Sequence, residues 1–367
     1  MKQFNIKKLL FAAFIFTTAL QACKKNNSEI EPTQLVVEKY ANGFFVIGEG
    51  SYGQSVGTIN FYRYGTDTIS PRVYERENPG KSLSNTAKTS TLQFASVING
   101  SIYLMCKMNG PIIKVNAETL KEEARFMQET SNWRSIVQLE GNRGLVSAND
   151  GVYPIDLTTL SIGSKLTTVG ALNTGEMWKK GNYVYLLQSN GAKIVSTGNY
   201  SLEKSFSNIT RGFAETPNGK VWASTGSRLI AIDANFDTVG VKLPVSIGSF
   251  GLDAPTRITA SSKENAVFYH SGNLIYKYVD GNTASLTQPF ITISETPFMV
   301  YGAIRYDKNK DYIVVNGIQG YGAASTVNYL LIYNASTGAL VKKVKYGGDG
   351  VTIDFSKIYF PNLTVFH

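Results

Sequence analysis

Three arginines recur at one position of an internal repeat that runs through the sequence. They are Arg134 in WRSIV, Arg211 in TRGFA and Arg257 in TRITA. If the repeat builds the blades of a propeller, this position is the start of each innermost strand, and the side chains meet at one mouth of a central channel. Three guanidiniums there would form a fixed set of donors for carboxylate, phosphate or amide oxygens. The alternative is that each arginine satisfies loop carbonyls between blades.

The remaining repeats carry other residues near that position, so the ring of arginines is incomplete. These residues are Thr91, Thr174 and Tyr301. Aromatic residues occur in or beside segments that should project from the same face, namely Tyr52, Trp133, Trp178, Phe213, Tyr301 and Tyr321. Rigid rings beside arginine and amide donors suit a flat macrocycle or a sugar, although each ring could instead wedge between blades. The predicted ligand contacts are Arg134, Arg211, Arg257, Trp133, Trp178, Tyr52, Tyr301 and Tyr321.

Residues suited to catalysis or metal binding are sparse. His270 ends a predicted strand, which is typical of a solvated or capping side chain, and His367 is the last residue. Cys106 follows apolar residues in a strand and is interpreted as a buried, inert thiol. No H-E-x-x-H or Walker sequence is present. The sequence therefore predicts a protein that is not an enzyme and that has no metal site and no cofactor.

The elements that position these residues form a repeat of two strands joined by a polar turn. The first strands are FFVI at Phe44, IYLM at Ile102, GLVS at Gly144, VYLL at Val184, VWAS at Val221, VFYH at Val267 and YIVV at Tyr312. The partner strands begin at Thr58, Ile112, Val152, Ala192, Arg228, Asn273 and Tyr329. Asn-Gly and Asp-Gly pairs between them are hairpin signals because both residue types tolerate positive φ.

Seven copies of this repeat nearly exhaust the chain of 367 residues. After a longer first interval the spacing is about 37 to 46 residues, the length of a four-stranded blade. We therefore predict an all-β fold with a single seven-bladed β-propeller over residues 41–367. The segment Ile358 to Phe366 should close it by supplying the innermost strand of the blade that begins near Phe44. A pair of β-sandwiches or an eight-bladed ring is the alternative. Two glycine-rich loops, residues 48–57 and 316–326, are the preferred lips of a ligand or partner site.

The chain begins like a secreted lipoprotein. Lysines precede an apolar run from Leu9 to about Leu20, which is too short to span a bilayer. The order Leu-Gln-Ala-Cys that ends at Cys23 resembles a bacterial lipobox, in which the cysteine is lipidated; a plain signal peptide is the alternative. Residues 1–22 are thus a predicted signal peptide, and residues 23–40 a lipidated cysteine with a flexible tether. Removing the signal takes three lysines from a formal charge of +9, so the mature protein is mildly basic and nucleic acid is a poor partner.

Three phrases of the sequence resemble the YncE-like propeller lipoproteins. They are FFVIGEGSYGQSVGTINFY from Phe44, GSIYLMCKMNGPIIKVNAETL from Gly100 and the closing YFPNLTVF. The V-x-x-E-G strand that opens the first blade in that family reads Val46 to Gly50 here. The resemblance implies an outer-membrane binding module. In the BtuG branch the ligand is cobalamin or a related corrinoid, which is passed to a TonB-dependent receptor.

The resemblance leaves the ligand, the partner and the side of the membrane open. Alternatives to a corrinoid are a glycan or another nutrient, or a protein scaffold in the cell envelope with no small ligand. We expect an outer-membrane lipoprotein that faces the cell surface or the periplasm and is a monomer apart from a receptor. Its only membrane contact would be the lipid anchor.

Overall fold

The computed structural model describes residues 39–85, 87, 89–128, 132–294 and 298–367. The predicted signal peptide, the lipidated Cys23 and all but the last two residues of the predicted tether lie outside the described residues. Those two belong to the folded domain: Lys39 pairs with Glu77, and Tyr40 is buried against Phe45 and Phe61. The Tyr40 ring thus packs in the core of the first blade, directly beside the boundary predicted after residue 40.

Twenty-eight strands make up almost all of the regular structure in the described part of the chain. They are β1 (Gly43–Gly48), β2 (Thr58–Arg63), β3 (Ile69–Ser70), β4 (Leu92–Ile98), β5 (Ser101–Cys106), β6 (Ile112–Asn116), β7 (Glu122–Phe126), β8 (Trp133–Gln138), β9 (Arg143–Ala148), β10 (Gly151–Asp156), β11 (Thr174–Lys180), β12 (Tyr183–Gln188), β13 (Gly191–Ser196), β14 (Leu202–Phe206), β15 (Arg211–Glu215), β16 (Val221–Ser224), β17 (Arg228–Ile232), β18 (Thr238–Lys242), β19 (Ile258–Ala260), β20 (Ala266–Ser271), β21 (Leu274–Val279), β22 (Ile291–Thr292), β23 (Met299–Val300), β24 (Arg305–Asp307), β25 (Tyr312–Ile318), β26 (Val327–Asn334), β27 (Leu340–Gly347) and β28 (Pro361–Val365). The helical elements are α1 (Val73–Glu77) and three 3-10 helices at Gly251–Asp253, Thr283–Leu286 and Gly322–Thr326.

The strands form seven antiparallel sheets, which are the blades of a β-propeller. From the centre outward, blade 1 is β28-β1-β2-β3, blade 2 is β4 to β7, blade 3 is β8 to β10, blade 4 is β11 to β14, blade 5 is β15 to β18 and blade 6 is β19 to β22. In blade 7 both β23 and β24 pair with β25, followed by β26 and β27. The predicted all-β, seven-bladed fold is confirmed, and each two-strand repeat unit is the second and third strand of a blade.

The ring closes as predicted, through pairing of the two ends of the chain. Strand β28 lies antiparallel to β1, with Thr364 opposite Val46 and Leu363 opposite Ile47. The pairing covers the inner edge of β1, so no backbone donors and acceptors are left unpaired there. Buried side chains of neighbouring sheets fill the space between blades; Phe45 and Ile47 of blade 1, for example, pack with Ile102 and Leu104 of blade 2.

Two blades depart from the regular four-stranded pattern. Blade 3 has three strands, and its third strand, β10, contains Pro154, which has no N–H to donate to a fourth. In blade 7 the innermost strand is interrupted at Gly302, where φ is +71°. A Cβ there would lie 2.1 Å from the carbonyl oxygen of Asn362 in β28. The close approach of the closing strand therefore requires glycine at this position.

The innermost strands all run in the same direction along the channel. Because successive strands in a blade are antiparallel, the starts of the innermost strands share one end with the turns between second and third strands. We call this end the arginine mouth, since the repeated arginines lie there, and the opposite end the far mouth. An innermost strand of five to seven residues is on the order of 20 Å long, which separates the two mouths.

Candidate ligand-binding site at the arginine mouth

The predicted arginines lie at the starts of three innermost strands. Arg134 is the second residue of β8, Arg211 is the first residue of β15, and Arg257 directly precedes β19. Thr174 begins β11 at the equivalent point of blade 4, and Tyr301 follows β23 in blade 7. The repeat therefore places these side chains at one end of the channel. Their accessibility is decided by their neighbours.

Arg134 is buried and fully engaged inside the protein. Its Nε donates to Oδ1 of Asp253 at 3.0 Å, its Nη2 also contacts that oxygen, and its Nη1 donates to the carbonyl of Thr174 at 3.3 Å. Burial raises the pKa of Asp253, but the hydrogen bond and charge of Arg134 outweigh burial and hold the pKa below its usual range. Arg134 thus ties blade 3 to blade 4 and to the loop before β19, which was the alternative interpretation for these arginines.

Arg211 and Arg257 remain partly open. Arg211 donates through Nη1 to the carbonyl of Thr210 at 2.9 Å, and its buried Nε has no acceptor among the described residues. Arg257 has neither a hydrogen-bond acceptor nor a carboxylate partner in the described part of the chain. Burial lowers the pKa of Arg257, and the charge of Arg211 lowers it further while Tyr301 opposes the change. The two guanidiniums are therefore close enough to repel each other, and an anionic or carbonyl-rich ligand would relieve that repulsion.

An aromatic platform supports Arg257. Its guanidinium carbon lies 4.4 Å from the ring centroid of Phe250, a cation–π contact, and the Phe250 ring is 5.6 Å from that of Tyr301. Tyr301 also packs on Phe360 at 5.2 Å. The Phe250 side chain is 46% exposed. The site thus combines unpaired cationic donors with an accessible aromatic ring.

Glu49 lies beside this platform, at the start of the loop after β1. Its Oε1 accepts hydrogen bonds from the Tyr301 hydroxyl at 3.2 Å and from Nε2 of Gln93 at 2.7 Å. Burial raises the pKa of Glu49 to about 7, and the positive charge of Lys107 opposes that change. In turn, burial lowers the pKa of Lys107, while the charges of Asp253 and Glu49 oppose the lowering. The mouth therefore holds a carboxyl group that changes its charge near neutral pH.

Two of the predicted ligand contacts, Tyr52 and Tyr321, lie on the glycine-rich loops that were predicted to border the site. Tyr321 precedes the 3-10 helix Gly322–Thr326, and its exposed ring meets Phe298 edge-on at 5.3 Å. Tyr52 is equally exposed, on the tight loop closed by the bridge between Ser51 and Ser55. Both loops follow second strands and so lie at the arginine mouth.

Three other predicted aromatics do not project from this face. Trp133 is fully buried and packs edge-on against Phe126 and Tyr153, each at 5.9 Å, in the core between blades 2 and 3. Phe213 is buried beside Tyr185 at 5.8 Å. These two rings act as the wedges between blades that the sequence left as an alternative, because each lies at an inward-facing position of its strand.

The third aromatic that does not project from this face is Trp178, which lies toward the far mouth. It is the fifth residue of β11, and its Nε1 donates to Oε2 of Glu215, the last residue of β15, at 3.3 Å. The sequence placed Trp178 near the start of the strand, but four residues of extended chain carry it about 13 Å along the channel.

The remaining candidates for chemistry are buried. His270 was expected to be solvated or capping, but it is fully buried, with Nε2 3.1 Å from the carbonyl oxygen of Gly302, and burial lowers its pKa to about 4. Burial raises the pKa of the Cys106 thiol to about 12, which fits the inert thiol interpreted from the sequence. No group of three or more His, Cys, Asp or Glu side chains in the described ranges could hold a metal ion.

Sequence reasoning missed four residues of this mouth: Glu49, Lys107, Phe250 and Asp253. Glu49 lies between two glycines directly after a predicted buried strand. A single carboxylate at that position was the signal that the sequence offered. Phe250 and Asp253 lie in the loop of residues 243–257 before β19, which is longer than the loops before β8 and β15. A long loop between repeats is a common position for binding residues.

The fold defines the class of the protein as a seven-bladed β-propeller, and the arginine mouth is its candidate binding site. The chain belongs to the DUF5074 family, a domain of unknown function, which it matches over residues 42–367. No curated protein matches the chain. No helix in the described residues is long and apolar enough to cross a membrane.

Solved structures that resemble the chain share its fold at low sequence identity. A quinoprotein alcohol dehydrogenase-like protein from Bacteroides thetaiotaomicron has a TM-score of 0.70 at 21% identity, covering 89% of this chain and 78% of that protein. The extracellular domain of a proposed one-component system from the same organism has a TM-score of 0.54 at 11% identity, covering 81% and 41%. The β-propeller domain of Swd1 from Myceliophteria thermophila has a TM-score of 0.52 at 11% identity, covering 70% and 87%.

Proposed function

We propose that the protein is a lipid-anchored binding module of the bacterial outer membrane. It captures a small molecule at the arginine mouth, with cobalamin or a related corrinoid as the leading ligand and a TonB-dependent receptor as its acceptor. One observation carries the binding site: Arg257 rests on the exposed ring of Phe250 with no acceptor or carboxylate among the described residues. A guanidinium held in place without a partner is prepared for a ligand oxygen.

The chemistry of a corrinoid suits this mouth. Its wide macrocycle presents an apolar face that can pack on Phe250 and Tyr321, and its peripheral amides carry carbonyl oxygens that can accept from Arg211 and Arg257. Binding would require no bond to be made or broken. The YncE-like resemblance supports a role in the cell envelope.

Calorimetric titration of residues 24–367 with cyanocobalamin tests the ligand. We expect saturable binding, and we expect Arg257→Ala and Phe250→Ala each to raise Kd at least about tenfold, since each removes a charged or aromatic contact. Arg228→Ala is the matched control, because Arg228 is an exposed arginine of β17 that donates to the carbonyl of Gly240 on the outer strand. Absence of heat at high protein concentration would exclude the corrinoid.

The anchor is tested separately in cells. Palmitate labelling should mark the wild-type protein, and Cys23→Ser should lose the label and move to the soluble fraction. An unlabelled wild-type protein in the soluble fraction would contradict the lipobox interpretation and leave the binding site unaffected.

A protein partner in the cell envelope is the second candidate. Three apolar side chains of the segment between β27 and β28 are exposed at the arginine mouth: Val351 at 85%, Ile353 at 60% and Phe355 at 39%. Several exposed apolar side chains in one short segment commonly mark a protein contact. Ile353→Asp should abolish co-purification of a membrane partner while leaving cyanocobalamin binding intact. Leu340→Asp, an exposed apolar position on β27, is the control that should abolish neither.

A further inference from the structure

Two cavities occupy the far half of the channel. Their volumes are about 540 and 330 Å³, which is the size range of small-molecule sites. The first is bordered by exposed Lys179 and the second by exposed Lys308, both at the ends of innermost strands, so both cavities reach solvent at the far mouth. The residues that line both cavities are Glu176, Trp178, Arg305 and Phe366.

Arg305 presents part of its guanidinium to these cavities. Its Nη1 is held by the carbonyls of Thr256 and Ile304, each at 2.9 Å. Its Nη2 lies 3.6 Å from Oε1 of Glu176, beyond hydrogen-bond distance, and neither Nη2 nor Nε has an acceptor among the described residues. The side chain is 18% exposed and lines both cavities, so its two nitrogens without an acceptor are available as donors.

Glu176 is fixed in the same way, with one oxygen left open. Its Oε2 accepts from the backbone N–H of Thr256 at 3.2 Å and from the Thr256 hydroxyl. On the other side it lies against Gly212, where a Cβ would come within 2.7 Å of Oε2. Within the described ranges Oε1 accepts no hydrogen bond, and the side chain is also 18% exposed. The carboxylate is therefore positioned by one oxygen and available through the other.

An aromatic wall adjoins this pair of charges. Trp178 is half-buried, and its hydrogen bond to Glu215 fixes the orientation of the indole. Phe366 follows the closing strand β28 and borders both cavities. The far half of the channel thus combines a positive group, a negative group and an apolar surface within reach of a single small molecule.

We propose that this region is a second binding site, for a free α-amino acid with an apolar side chain. Its carboxylate accepts from Nε and Nη2 of Arg305, its ammonium donates to Oε1 of Glu176, and its side chain packs on Trp178 and Phe366. The ammonium and the carboxylate of an α-amino acid are bonded to the same carbon, which matches protein charges 3.6 Å apart. A ligand with one charge would leave the other protein group partly desolvated and unpaired. The site opens toward the far mouth, while its two charged groups are held at mid-channel by Thr256, and it does not rest on the function proposed for the arginine mouth.

L-phenylalanine is the probe, titrated into the mature lipoprotein in detergent and followed by calorimetry and tryptophan fluorescence. We expect saturable binding and a change in fluorescence, since Trp178 lies in the cavity. Hydrocinnamate, which lacks the ammonium, and phenethylamine, which lacks the carboxylate, should each bind at least about tenfold more weakly. Failure of L-phenylalanine to saturate at millimolar concentration, or equal binding of all three probes, would overturn the proposal.

Variants separate this site from the rest of the protein. Glu176→Gln and Arg305→Gln should each weaken L-phenylalanine binding at least about tenfold, whereas Arg228→Gln should leave it unchanged. If circular dichroism shows that Arg305→Gln does not fold, Glu176→Gln carries the test alone: it should bind L-phenylalanine and hydrocinnamate with similar affinity, because glutamine has no negative charge to pair with the ammonium. Retention of the wild-type preference in Glu176→Gln, or loss of binding in Arg228→Gln, would contradict the assignment.

Discussion

Replacing Glu49 by glutamine should make the protein more stable at neutral and alkaline pH. Burial raises the pKa of Glu49 to about 7, from an ordinary value of 4.5, so the folded protein holds this proton more tightly than the unfolded chain does. Between pH 4.5 and about pH 7 the folded state binds more protons than the unfolded state does, so the stability of the folded protein falls as the pH rises. Glutamine mimics the neutral acid at every pH, so the variant should not lose stability in this way as the pH rises.

The expected gain in stability follows from the pKa shift of Glu49. A difference of about 2.5 pKa units corresponds to about 3 kcal/mol once the carboxyl is fully ionised. Water reaches the partly exposed side chain and reduces that value, so we expect a gain of about 1 to 3 kcal/mol at pH 8. Both donors, the Tyr301 hydroxyl and Nε2 of Gln93, reach the same oxygen, Oε1, so the amide oxygen of glutamine can keep both hydrogen bonds.

Urea unfolding of wild type and Glu49→Gln from pH 5 to pH 8 is the assay. The difference between the two proteins should be small near pH 5, should grow as the pH rises toward about 7 and should level off above that pH. A constant difference across this range, or a Glu49→Gln variant that is less stable than wild type at pH 8, would refute the assigned burial of the carboxyl group. Lys342→Gln is a control, because Lys342 pairs with the exposed Asp67 on the outside of the propeller and should show no such divergence.

Three further predictions concern the core and the closing strand. Trp133→Ala should lower the free energy of unfolding by about 3 to 5 kcal/mol in urea, since the indole is fully buried; a loss below about 1 kcal/mol would contradict its role as a wedge. Gly302→Ala should be destabilised well beyond Gly100→Ala in the same assay, because both have positive φ but only Gly302 would place a Cβ 2.1 Å from a carbonyl oxygen, that of Asn362; equal losses would be inconsistent with this packing. Cys106 should resist iodoacetamide in the folded protein and react once urea unfolds it, because burial raises its thiol pKa to about 12; rapid labelling of the native protein would show that the thiol is accessible.

The tertiary structure separated residues that the sequence treated as equivalent. Arg134 and Arg257 occupy the same repeat position, yet Asp253 holds one and no described acceptor meets the other. That difference arises in the loop before β19, which lies outside the repeat and crosses the end of the channel. Local patterns carry no information on such a contact, since its partners come from different blades.

The sequence by itself determined the seven repeats, their strands, the closure by the final segment and the end of the channel at which the arginines lie. These follow from alternating apolar residues and turn residues, which act over a few positions and impose the same hairpin in each blade. Only the tertiary structure decided that Trp133 is a buried wedge, that Trp178 faces the far half of the channel, and that Glu176 meets Arg305. Those outcomes depend on the rise of 3.3 Å or so per residue along each innermost strand and on which blades face each other across the channel. Which blades face each other is a property of the closed ring.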